Sequence, residues 1–170
     1  LRDGYFDAGP ASKGVEMEAG LALLEDFEAQ LAAAEQEREQ LSLAQKLFGH
    51  AVASYPGLHE VAESLGNVRQ IYNLYVEQRD ARQQWAATLW ADLDLASIES
   101  GMEEFQSRLL KLGKLIKELP PFRAVEEAIS SFVASLPLIS SLKNEALRPR
   151  HRQADMTSAG ITFAIDPTTF

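Results

Sequence analysis

The sequence predicts an all-α fold, an elongated bundle of about four long antiparallel helices followed by short helices and a strand-like end. Three observations carry this. Apolar residues recur at alternating spacings of three and four through most of the chain, which places them on one face of a helix. Proline and glycine cut that pattern at few points, and the intervals between cuts are long. Hydrophobic residues make up 46 % of the 170, and charged residues 24 %, a composition suited to a packed fold.

Residues 1–14 are rich in glycine and proline and lack periodicity, so they read as an irregular lead-in. From Val15 the pattern changes. Met17, Leu24, Phe27, Leu31, Ala34, Leu41 and Phe48 form a heptad-like seam, with Arg38 and Gln45 at two further seam positions. Glu25, Asp26, Glu28, Glu35, Glu37 and Glu39 lie between them as a solvated face. Gly49 and Tyr55-Pro56-Gly57 end this first helix. Leu58, Val61, Leu65, Val68, Tyr72 and Tyr75 define a second, and its stripe then moves to Trp85, Leu89 and Leu93. The polar stretch from Glu77 to Gln84 is where the buried face rotates or the helix bends.

Ile98, Met102, Phe105, Leu109, Leu112, Ile116 and Leu119 define a third helix, with Ser97 as its candidate cap and Pro120-Pro121 as its end. Phe122, Val125, Ile129, Phe132 and Leu136 mark a shorter fourth, ended by Pro137. Leu138, Ile139 and Leu142 suggest a short amphipathic turn. Asn144 suits a helix cap and Pro149 a first turn. Gly160 reads as a terminator, and Ile161, Phe163 and Ile165 alternate as a strand would. At about 1.5 Å per residue, the long helices would be roughly 35 to 50 Å. The resulting domains are 1–14 (lead-in), 15–136 (helical bundle) and 137–170 (a different, irregular region). The first residue is Leu1, and the expectation is an excised piece of a longer protein.

Chemistry is sparse. The formal charge is −9 and there is no cysteine, which disfavours phosphate tracking and removes disulfides and thiolate chemistry. No run of about 18 apolar residues stands out as a membrane span. His50, His59 and His151 fit no metal-ligand spacing, and the simplest reading of His50 and His59 is two residues flanking a loop. Paired carboxylates such as Glu103-Glu104 and Glu126-Glu127 read as solvated faces, because acid–base work needs a pocket that separates their pKa values. No phosphate-cradling or nucleophile-elbow motif is present. Lys111, Lys114 and Lys117 recur on one helix, and Arg148, Arg150, His151 and Arg152 gather near the end. They read as charge balance or as a contact with an acidic surface. No catalytic, cofactor or metal residue is expected.

The segment LPLISSLKNEALRPRH, residues 136–151, resembles a stretch of dynein heavy chains where the N-terminal tail meets the linker that arches over the AAA+ ring. The ending around Gly160, Phe163 and Asp166-Pro167-Thr168-Thr169-Phe170 is similar too. GVEMEAGLALLEDF at 14–27, AQKLFGHAVASYPGL at 44–58, IYNLY at 71–75 and WAATLWADL at 85–93 resemble axonemal heavy chains in order and spacing. Arg152 departs from the family, which has tryptophan there, so an aromatic anchor is missing. The resemblance implies a force-transmitting segment of a microtubule-based, ATP-driven motor in the axoneme of a cilium or flagellum. Residues 137–170 would begin the linker. The candidate tail–linker joint is Leu136, Pro137, Leu138, Ile139, Leu142, Asn144, Leu147, Arg150 and His151. ATP and Mg would act in the ring of the full-length protein. Partners would be the rest of the heavy chain, intermediate and light chains or another heavy chain, with no nucleic acid and no membrane. A spectrin-like scaffold without a motor is the alternative.

Overall fold

A computed structural model describes residues 1–90 and 92–143, and within them the fold is all-α. The elements are α1 (Arg2–Ala8), α2 (Met17–Leu47), α3 (Pro56–Ala87), α4 (Leu95–Lys111), α5 (Lys114–Lys117) and α6 (Pro120–Lys143). They divide into two units. One holds Leu1–Val76 with Lys111–Glu126. The other holds Glu77–Leu110 and, among the described residues, 127–143.

The first unit is built on an antiparallel pairing of α2 with the first part of α3. Tyr5, Leu24, Phe27, Val61, Leu65, Val68 and Tyr72 form its core, with Met17, Leu21, Leu31, Tyr75 and Leu119 packed against it. Each large apolar side chain so enclosed stabilises the unit by about 1.5–3 kcal/mol relative to exposure. The Tyr5 ring meets Phe27 edge-on, 5.4 Å between centroids, the favoured geometry for two aromatic quadrupoles. Three tyrosine hydroxyls finish the seam. Tyr5 pairs with Ser64 Oγ at 2.8 Å, Tyr72 donates to the Pro10 carbonyl at 2.9 Å, and Tyr75 donates to Glu18 at 2.8 Å. Arg69 makes a two-pronged ion pair with Glu28 across the same seam, and Arg2 reaches Glu60 at 2.8 Å.

One position sets how closely α2 approaches α3. A Cβ at Gly20 would overlap the Tyr72 hydroxyl oxygen. The phenol has no room to retreat, because it is buried and anchored on Pro10.

In the second unit, α4 buries Ile98, Met102 and Leu109, and α6 buries Ile129 and Leu136. Trp85 stacks on Phe132 with centroids 6.0 Å apart and planes 22° apart. The Arg82 guanidinium lies 4.8 Å from the same Phe132 ring, a cation–π contact.

Several expectations need correcting. The lead-in is not wholly irregular, since Arg2–Ala8 is helical and buries Tyr5. The seam of α2 is buried only in its first half. Leu41 and Phe48 stay exposed, at 45 % and 74 %. The third helix is two, because Gly113 adopts an extended ψ of 155° between α4 and α5. Its cap is Asp94, whose Oδ1 accepts from the amides of Ala96 and Ser97, and Ser97 does not cap it. Pro120-Pro121 begins α6, consistent with proline's tolerance in a first helical turn. Pro137 does not end it, because α6 continues to Lys143. That proline is exposed, so its ring needs no space in the core.

The expectation that no segment is long and apolar enough to cross a membrane also fails on length and composition alone. Within the 24 residues of α6, an 18-residue window reaches a mean hydropathy of 1.3. Serines and Glu126-Glu127 punctuate it, so it holds no long uninterrupted apolar run. Those two glutamates are exposed, whereas Phe122, Val125, Ile129 and Leu136 are buried in the fold. This two-sided pattern is that of a helix packed on protein.

Two outcomes are expected. Gly20→Ala should lower unfolding free energy by about 1–3 kcal/mol, the usual cost of forcing atoms into a filled core, read by urea denaturation. Burial, and then the neighbouring Tyr75, raises the Tyr72 pKa from 10.0 to about 12. The folded state therefore holds the phenol proton more tightly than the unfolded chain does. This contribution is complete below pH 10 and disappears as pH rises through about 12. Tyr72→Phe should flatten the alkaline limb of a Tm–pH profile, while losing about 1 kcal/mol at neutral pH through the orphaned Pro10 carbonyl.

Candidate functional site

The structure describes five of the nine joint residues named from sequence, and all five lie on α6. Leu136 is buried, Ile139 is half-buried, and Pro137, Leu138 and Leu142 are exposed. Asn144, Leu147, Arg150 and His151 lie outside the described residues, as do Arg148, Pro149, Arg152, Gly160 and the strand signal at 161–165. Two hydroxyls bond to carbonyls of the helix near the proline, Ser135 to Phe132 at 2.6 Å and Ser141 to Pro137 at 2.8 Å. Pro137 has no N–H to give to the Val133 carbonyl, so the ladder lacks one rung there.

The helix presents Phe132, Leu136, Ile139 and Lys143 at spacings of four, three and four. Phe132 and Ile139 line an apolar groove of about 360 Å³. Its other walls come from Trp85, Leu89, Trp90 and Leu93 at and beyond the end of α3, and from Ile98 of α4. Gly101 lets α4 approach the indole closely, since a Cβ there would sit 3.0 Å from Trp85 Cζ2. The Lys143 ammonium closes one side by donating to the Leu93 carbonyl. Trp85 and Trp90 are both half-buried. Sequence reasoning missed their convergence with Phe132 and Ile139. The signal was the continuation of the fourth stripe past Pro137, which the proline concealed.

The second unit also holds an ion pair. Arg108 grips Glu77 with both guanidinium nitrogens, at 2.5 and 3.0 Å. That hydrogen bond holds the Glu77 carboxyl below the usual 4.5, and it raises the Arg108 pKa. Nothing in this geometry poises an acid or base for chemistry. Among the described residues no three His, Cys, Asp or Glu side chains are grouped to hold a metal ion. His50 and His59 are both exposed. Of the lysine row, Lys111 and Lys114 are exposed and Lys117 is half-buried.

A second apolar feature lies at the turn between α2 and α3, where Leu43, Leu47, Phe48 and Val52 face solvent. Gln45 was expected in the seam. Its side chain instead accepts from the Ala53 amide at 3.0 Å and folds the connection back on the helix end.

Residues 58–170 match the family model described as dynein heavy chain, N-terminal region 2. The whole chain is 41 % identical to the dynein-1-alpha heavy chain of the flagellar inner arm I1 complex of Chlamydomonas reinhardtii. It is 34 % identical to human dynein axonemal heavy chain 10 over 96 % of its length, and 28 % identical over 87 % to the alpha chain of the Chlamydomonas flagellar outer arm. In the first two, the matched stretch is 4 % of the relative's own length.

Glu77 supplies a test of the local electrostatics. Its folded pKa is depressed, so its contribution is present above the unfolded value and is lost as pH falls through the folded one. Both partners are substantially exposed, at 40 % and 47 %, so the pair is worth at most about 1 kcal/mol. Glu77→Gln should cost no more than that at pH 7. It should also reduce the acid slope of the Tm–pH profile below pH 4.5.

Proposed function

Starting from the fact that this chain belongs to the dynein heavy chain family, through its N-terminal region, we propose that it is a non-catalytic, force-transmitting segment joining tail to linker in an axonemal motor. The observation that supports this most is the likeness over the entire chain to axonemal heavy chains, 41 % with one of them. Such likeness throughout α1–α6, all of it helix, suits a segment used for its shape and stiffness.

The helical part, residues 15–136, would be the end of the tail, and residues 137–170 the entry to the linker. The joint residues 136–151 would pass load from one to the other. Because α6 runs on through Pro137, load arriving along α6 would enter the joint through a continuous helix and not through a broken loop. ATP and Mg would be handled by the AAA+ ring elsewhere in the heavy chain. The remainder of that chain, intermediate and light chains or another heavy chain would be its partners, in the axoneme of a cilium or flagellum.

The test is made in a full-length heavy chain. Pro120→Gly with Pro121→Gly loosens the first turn of α6. Microtubule gliding should slow while basal ATP turnover by the ring is retained. Collapse of basal turnover would sink the transmission role, and so would unchanged gliding.

A further inference from the structure

The last turns of α2 carry Leu43 and Leu47, exposed at 61 % and 81 %. Gln36 and Gln40 precede Leu43 at spacings of four and three, so all four share one face of the helix. At 3.6 residues per turn, that face points away from the side that buries Leu24 and Phe27. Exposed leucines grouped on an outer face mark a contact surface.

The charges beside it say what the surface fits. Glu39 and Lys46 stand on one flank of Leu43, four residues before it and three after. Both are exposed, and among the described residues neither has an ion-pair partner. The charge pattern is opposite in sign on the two sides of Leu43. Turned end for end, the same helix brings Lys46 to Glu39 of the other copy and Glu39 to its Lys46, with Leu43 against Leu43 at a two-fold axis. A two-fold contact demands such self-complementarity, and flanking charges choose orientation and partner in paired helices. A parallel alignment would oppose like charges at both places. Sliding the antiparallel pair by two turns would set Glu39 against Glu39.

We propose that the end of α2 is a self-association surface, on which a second copy of this chain pairs antiparallel through Leu43 and Leu47 with reciprocal Glu39–Lys46 contacts. Gly49, at φ 70°, stops the helix just beyond Leu47, so the overlap is short. It buries less than the roughly 800 Å² per partner of a stable interface, and it counts where two copies are held close. The proposal deepens the reading in which another heavy chain is a partner, and it rests on that reading for its setting in the motor.

The chain has no cysteine. In the intact 170-residue chain, Leu43→Cys should therefore give an intermolecular disulfide under mild oxidation, about tenfold faster than the exposed control Glu103→Cys. Glu39→Lys and Lys46→Glu each turn two attractions of the pair into two repulsions. Each should weaken dimerisation about tenfold at low salt, read by Leu43→Cys crosslinking and by sedimentation, with far-UV circular dichroism retained. The two reversed chains, mixed in equal amounts, should pair with each other. The double reversal should restore the native rate. Crosslinking through Leu43→Cys no faster than the control overturns the proposal. So does pairing indifferent to both reversals, or a mixture of the reversed chains that fails to pair. Pairing is read on this chain alone and force transmission on gliding, so either reading can fail without the other.

Discussion

Where α2 crosses α3, the Tyr72 phenol oxygen occupies the volume that a side chain at position 20 would need, and it reaches past the helix to the Pro10 carbonyl. This contact fixes three things together: the distance between the two longest helices, their register, and the path of the chain entering α2. Tyr5 and Tyr75 repeat the device at other levels of the seam, each burying ring area while its hydroxyl finds a polar partner. An all-aliphatic seam could slide by a turn at modest cost. Hydroxyls that need particular acceptors resist this, because a slipped register strands buried polar groups.

Two buried stripes run along α3. Val61, Leu65, Val68 and Tyr72 face the first core. Ile71, Leu74 and Gln78, also spaced by three and four, are buried outside that cluster. The Gln78 amide nitrogen finds no partner among the described residues, so the stripe carries a polar group at the residue after Glu77, where the second unit begins. An unpaired buried amide costs free energy that a methionine of similar length would not.

Much of this was legible in the sequence because periodicity is a local signal. The first half of the α2 stripe, the α3 stripe from Val61 to Tyr72 and the break between Gly49 and Pro56 all follow from spacing and backbone chemistry. The rest was illegible for identifiable reasons. Heptad spacing shows which face is apolar but not whether anything covers it, so Leu41 and Phe48 read like Leu24. Proline is read as a stop, yet Pro137 is exposed in a helix long enough to absorb a lost hydrogen bond. Gly113 was hidden inside an unbroken apolar pattern. The groove depends on residues 85–98 meeting residues 132–139, a convergence that no local pattern encodes. Membership of the dynein family, in contrast, was carried by ordered short segments spread over the chain.

Pro137 gives α6 a directional mechanics. A proline ring crowds the carbonyl four residues before it, so a helix bends away from the proline-bearing side more easily than toward it. With one rung missing at Val133, resistance to curvature in α6 differs between opposite directions. A straight rod returns the same force whichever way it is pushed. One with an exposed proline in its interior bends more readily in one direction than in the opposite one.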